Sequence, residues 1–245
     1  MSDSGFTDFH QHVLWGLDDG PKTAKQMYAM LERAAADGIR LIAATSHAYP
    51  ETREFNAAKY RKRLAEANEY CRQRQLALKV ISGCEIHYSD RVPDLLRSNR
   101  LPTIGGTRVA LIEFDYDASL EEIGEAADKL YRAGCRMMVA HIERYRSAVR
   151  SPGRAMELRE EYGLYYQMNC NTVLHPRGLL GKRFVRRMLE ARAIDLVATD
   201  AHDTERRPVC MKAAHAELTK RCGRKYAKKL VTFGRKLAGR QAEQG

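Results

Sequence analysis

The sequence predicts a single parallel α/β domain of the barrel type. Three observations carry that reading: seven short apolar runs, helical stretches alternating with them, and a candidate metal ligand or polar group where each run ends. In parallel α/β folds the carboxyl ends of the strands converge on one mouth, so residues distant in sequence can share a site. The strand-end set reads His10, His12, His47, Glu85, Glu113, His141, Asn169, Asp200 and His202. An open sheet would spread these groups out, whereas strands around a common axis would let them meet. A length of 245 residues suits one such domain, spanning 1–245, better than two.

The first strand is expected over residues 6–10. A helix follows from Thr23, where Thr23 and Gln26 have capping-box spacing, and Gly38 is placed to end it. Residues 39–45 form a compact apolar run with β-branched members, as expected of a strand buried on both faces, and a long charged helix starts near Phe55. Further strands are expected over 77–84, 109–114, 136–141, 164–169 and 194–199. The helix after the fourth strand opens on a second capping box, Ser119 to Glu122, and closes at Gly134. No linker, repeat or low-complexity segment interrupts the series.

With 42 Lys+Arg against 31 Asp+Glu the formal charge is +11, which permits an anionic partner without identifying one. Much of the excess lies in the basic, helical C-terminal stretch 220–240, whose basic residues recur every three or four positions in the manner of a solvated helix face. No nucleic-acid partner is expected. Cys71, Cys84, Cys135, Cys170, Cys210 and Cys222 show no CxxC pairing, and reduced thiols account for them. There is no signal-like segment and no apolar run of membrane-spanning length, so a cytoplasmic chain that does not itself span a membrane is expected.

His10 and His12 stand two apart at a strand end, so both rings point to one side of an extended chain. Glu85 and Glu113 interrupt apolar runs, where an unpaired carboxylate would cost roughly several kcal/mol of desolvation. An arginine or a metal ion must compensate. Together the carboxylates Asp19, Glu85, Glu113 and Asp200 and the imidazoles His10, His12, His47, His141 and His202 form a mixed oxygen and nitrogen set suited to manganese, iron or zinc. One ion could not use nine ligands; two or three sharing a carboxylate could, and they would attract phosphate.

The segments DFHQHVLWGLDDGP, AATSH, SGCEI, IEF, VAHIERYR and LVATDAHDTERRP resemble the bacterial manganese-dependent protein-tyrosine phosphatases of capsule and exopolysaccharide operons, members of the polymerase-and-histidinol-phosphatase (PHP) superfamily. They occur in the family's order from Phe6 to about Pro208. The resemblance implies a distorted seven-stranded (β/α)7 TIM-like barrel with three divalent ions at its mouth, most suitably Mn2+, with Fe or Zn possible. It allots His10, His12, Glu85 and Asp200 to one ion, Glu85, Glu113 and His141 to a second, and Asp19, His47 and His202 to a third. Asp19 is preferred over its neighbour Asp18 because it aligns with the family ligand, which leaves Asp18 to shape the turn. Arg144 and Arg207 match family arginines that bind the phosphoryl group, a role suited to a planar multidentate donor.

The implied activity is hydrolysis of phosphotyrosine on proteins by metal-activated water, without a phosphoenzyme. In agreement, no cysteine is followed six positions later by arginine, the spacing of cysteine-dependent tyrosine phosphatases. The implied partner is the tail of a membrane-associated tyrosine autokinase. The sequence departs from the family pattern at Trp15, Ser46, Ala48 and the segment 169–172, positions expected to bear on substrate choice. Trp15 either stacks on the substrate's phenyl ring or closes the barrel. The competing functions are a small-metabolite PHP phosphatase, histidinol phosphate above all, a nuclease-like phosphodiesterase, and a metal-binding scaffold without catalysis.

Overall fold

The computed structural model describes residues 5–242. Its first half runs β1 (Phe6–Gln11), α1 (Ala24–Ala36), β2 (Ile39–Ala44), β3 (His47–Ala48), α2 (Ala57–Gln73), β4 (Lys79–Ser82), β5 (Glu85–His87), α3 (Val92–Arg97) and β6 (Val109–Glu113). The second half runs α4 (Leu120–Arg132), β7 (Arg136–Val139), α5 (Arg146–Arg150), α6 (Pro152–Glu161), β8 (Tyr165–Asn169), α7 (Cys170–Leu174), α8 (Gly178–Glu190), β9 (Leu196–Ala198), α9 (Met211–Cys222) and α10 (Arg224–Ala242). Both capping boxes form as the sequence implies, Thr23 with Gln26 at α1 and Ser119 with Glu122 at α4.

This is a mixed α/β fold with a curled, wholly parallel sheet. The strands pair in the orders β1-β2-β4 and β3-β5-β6-β7-β8-β9. Two expected strands are broken. Residues 39–45 end at Ala44 and resume as β3, and 77–84 end at Ser82 and resume as β5. The Tyr60 hydroxyl explains both breaks: it donates to the Ala44 carbonyl at 2.8 Å and accepts from the Gly83 amide at 2.9 Å, occupying backbone groups that the ladder would otherwise pair. The curl also brings the end of β1 against the segment after β9. There the Asp200 amide donates to the His10 carbonyl at 2.7 Å and the His12 amide to the Ala201 carbonyl at 2.9 Å.

Alternate strand positions fill the interior with Phe9, Ala43, Leu111, Met138 and Leu196, joined by Ala140 just after β7, while the helices pack outside. The basic C-terminal stretch folds largely as α10. Its apolar side buries Tyr226, Leu230, Val231 and Leu237, and Lys225, Lys228 and Lys229 face solvent. Gly234 lets this helix approach β1 closely, since a Cβ there would lie 2.2 Å from the Phe9 ring. Alanine would favour the helix by about 1 kcal/mol, but overpacking costs about 1–3 kcal/mol. Gly234→Ala is therefore expected to lower the urea midpoint of unfolding; an unchanged or raised midpoint would mean the helix yields freely.

Candidate metal centre

The strand ends deliver the side chains named from the sequence to one place. Glu85, 1% exposed, opens β5 and is faced by four imidazoles. Its Oε2 lies 3.0 Å from His10 Nε2, 3.0 Å from His12 Nε2 and 3.2 Å from His47 Nδ1, and its Oε1 lies 2.8 Å from His141 Nε2. Three overlapping groups offer ligand atoms all within 4.8 Å of one another: His10, His12, Glu85 and Asp200; His47, Glu85 and Glu113; and His12, Asp19, His47 and His202. His141 approaches the second group, with its Nε2 3.8 Å from Glu113 Oε2. All nine expected ligands thus meet. The overlaps differ from the allotment the resemblance implies, since His12 also joins the third group and His47 the second.

Backbone geometry helps to aim these groups. His141 (φ 32°) and Asp200 (φ 52°) are non-glycine residues in the left-handed region, an energetically costly conformation found at functional sites. This turn at His141 also stops β7 at Val139, two residues short of the expected strand end.

The donor set fits metal ions. His10 Nε2 and His12 Nε2 face each other at 3.4 Å, an arrangement in which the two nitrogens compete for the same carboxylate oxygen. The buried His141 Nδ1 makes no hydrogen bond, while His47 Nδ1 and Glu113 Oε1 lie 3.1 Å apart and His202 Nε2 lies 3.2 Å from Asp19 Oδ1, close approaches without hydrogen-bond geometry. Burial alone would raise the Glu85 carboxyl, but His10, His12 and His141 hold it well below the usual range. Asp200 is likewise held low, against burial, by His10 and Arg144. Both are therefore carboxylates at neutral pH. The adjacent Cys84 shows the reverse, with burial and nearby carboxylates pushing its thiol well up, unlike an activated nucleophile.

Other side chains orient the candidate ligands. Asp18 does more than shape a turn: its Oδ2 lies 2.8 Å from His12 Nδ1 and accepts from the His47 amide at 2.9 Å, while its Oδ1 accepts from the Gly20 amide. Burial would raise its carboxyl, yet His12 lowers it to about 2. The stability this pairing contributes is full above the ordinary aspartate range and is lost as pH falls toward 2. Gln167 Oε1 sits 3.1 Å from His10 Nδ1 and accepts from the His141 amide, while its Nε2 donates to Asn169 Oδ1. Asn169 in turn donates to Asp200 Oδ2 at 2.9 Å. Sequence reasoning missed Gln167, whose one signal is a polar side chain within an otherwise apolar strand stretch. Carboxylate partners of histidine ligands typically contribute about 10–100-fold in metal affinity, so Asp18→Ala is expected to weaken binding of a divalent metal ion by that order. Titration of the protein with Mn2+ would measure it, and an unchanged binding curve would remove Asp18 from this role.

Arg144 and Arg207 lie together, both donating through Nη2 to Asp200 Oδ2, Arg207 at 2.7 Å. They line a groove of about 850 Å³ that opens from Asp200 and Asn169. Trp15 does not line it. Its indole nitrogen donates to Glu66 at 3.1 Å and Arg63 covers its ring at 3.3 Å, tying it to α2. Of the two roles expected for Trp15, this packing against α2 bears on the one that closes the barrel, with Glu66 on its indole nitrogen and Arg63 on one face of its ring. Aromatic rings that do border the ligand cluster are Tyr49, stacked on His47 with ring centroids 5.1 Å apart, and Tyr145, 6.0 Å from the His141 ring.

Fold and site define a parallel α/β protein whose strand ends gather a histidine and carboxylate cluster of metal-binding composition beside two phosphate-type arginines. The chain belongs to the CpsB/CapC family of capsular polysaccharide synthesis, whose model matches residues 6–235. It is 30% identical to the tyrosine-protein phosphatase CpsB of Streptococcus pneumoniae over 229 residues, covering 91% of this chain and 93% of that protein. It is 29% identical to the tyrosine-protein phosphatase YwqE of Bacillus subtilis, covering 82% and 78%. It also resembles a crystal structure described as one of YwqE and CpsB, unique metal-dependent tyrosine phosphatases, with a TM-score of 0.87, 28% identity and coverage of 95% and 94%.

Proposed function

We propose that this chain is a metal-dependent protein-tyrosine phosphatase acting in capsule or exopolysaccharide synthesis. The observation that carries the reading is Glu85 faced by four imidazoles, with Arg144 and Arg207 meeting on Asp200 beside it. His10, His12, Asp19, His47, Glu85, Glu113, His141, Asp200 and His202 would hold three divalent ions, with Mn2+ most suited to the mixed oxygen and nitrogen set. Such ions polarise phosphoryl oxygens and acidify water near neutral pH. Arg144 and Arg207 orient the phosphoryl group and stabilise the charge that builds on its oxygens. Asp18, Gln167 and Asn169 hold the ligands in place. The substrate is a phosphotyrosine protein, in this reading the tail of a membrane-associated tyrosine kinase.

Reading β2 with β3, and β4 with β5, as single interrupted strands supports a distorted seven-stranded barrel, as do the hydrogen bonds between β1 and the segment after β9. In this reading 1–245 is one domain with α10 as an integral part. Six free cysteines support a cytoplasmic location, and no described helix is long and apolar enough to cross a membrane.

Phosphate release from a phosphotyrosine peptide and from histidinol phosphate, measured in parallel with added manganese and again after chelation, tests the proposal. Chelator-sensitive release favouring the peptide is expected. A preference for histidinol phosphate would instead assign the chain to small-metabolite hydrolysis.

A further inference from the structure

The groove beside the metal centre holds more positive charge than a single phosphoryl group needs. Beyond Arg144 and Arg207 it is lined by Arg146 at the start of α5, Arg177 before α8, and Arg206 in the loop after β9. All three are exposed, and their guanidinium groups make no hydrogen bond or ion pair among the described residues. The lining carboxylates are Glu143, whose Oε1 accepts from the Asn169 amide while its buried Oε2 has no hydrogen-bond partner, and Asp200, which accepts from the two inner arginines. Two large apolar side chains also line the groove and stay exposed, Tyr116 at 56% and Leu180 at 55%.

A groove of about 850 Å³ matches the upper part of the range that encloses drug-sized ligands, well beyond a phosphoryl group. Its rings, Tyr116 and the imidazole of His175, come from separate segments and form no run of aromatics for successive nucleic-acid bases. Arginines on separate segments, flanking the phosphoryl arginines and interleaved with apolar surface, suit an extended peptide bearing carboxylates.

We propose that this groove docks the residues flanking the phosphotyrosine and selects acidic ones, with carboxylates meeting Arg146, Arg177 and Arg206 and apolar side chains resting on Tyr116 and Leu180. The inference rests on the phosphotyrosine reading above. Exposed charge pairs act mainly through encounter rate and are weakened by salt. Three such exposed pairs together are expected to contribute roughly tenfold in kcat/KM.

The test compares two phosphotyrosine peptides of equal length, one with acidic and one with neutral flanks, at low and high salt. The proteins are the manganese-loaded full chain and its R146Q/R177Q/R206Q variant, with p-nitrophenyl phosphate as the flank-free control. The wild type is expected to prefer the acidic peptide about tenfold at low salt and less at high salt. The triple variant is expected to lose that preference while its p-nitrophenyl phosphate rate is unchanged. Equal wild-type rates on the two peptides, or a variant that slows both equally, overturn this inference alone. Turnover of p-nitrophenyl phosphate with neither peptide hydrolysed overturns the phosphotyrosine reading and this inference with it. Displacement of the acidic peptide by an equally charged oligonucleotide with equal affinity also overturns it, showing an unselective polyanion surface.

Discussion

Glu85→Gln is expected to abolish manganese-dependent phosphate release, by roughly 10³-fold or more, corresponding to a loss of about 4 kcal/mol of transition-state stabilisation. The substitution preserves shape and removes one charge. That charge is the one toward which His10, His12, His47 and His141 all turn. Metal content should fall along with activity. Manganese should raise the thermal midpoint of the wild type, because an ion bound only by the folded state stabilises it by mass action, and should do so far less for the variant. The apo variant should still fold, since its core and capping boxes are untouched. Full activity and full metal content in Glu85→Gln would remove Glu85 from the centre of the site.

Arg144→Ala and Arg207→Ala are each expected to lower kcat/KM by about 10²-fold, the usual cost of losing one preorganised donor to developing charge. Their positions argue for a shared task, since both guanidinium groups reach the same Asp200 oxygen from different segments, one after β7 and one after β9. Lysine should restore little at either position, because a point charge cannot reproduce the planar fork. Inhibition by inorganic phosphate offers a second readout: it should weaken in both variants while manganese affinity is largely kept. If phosphate inhibition is unchanged and only metal binding suffers, the arginines are supports of Asp200 and not phosphate donors.

The two experiments separate charge that holds metal from charge that holds substrate, which is also where sequence and structure divide. His10 and His12 were readable because a spacing of two at a strand end fixes which way both rings point. The capping boxes were readable because their hydrogen bonds span three residues, and both formed as expected. Asp18 and Asp19 could not be separated by local rules. Only the fold shows that Asp18 lies buried against His12 while Asp19 stands 59% exposed and reaches His47 and His202. Trp15 could not be assigned because its partners Arg63 and Glu66 lie about fifty residues away on α2.

What the sequence determined by itself was the alternation of strands and helices, the strand-end ligand types and a charge excess that permits an anionic partner. Each depends on residue type and near spacing, which act through hydrogen-bond geometry and apolar periodicity along a few turns of chain. What only the tertiary structure decided was the insertion of Tyr60 between β2 and β4, the left-handed turns at His141 and Asp200, the supporting roles of Gln167 and Asp18, and the gathering of Arg146, Arg177 and Arg206 along one groove. These depend on contacts between segments tens of residues apart, and such contacts are set by packing around a common interior, not by local preference.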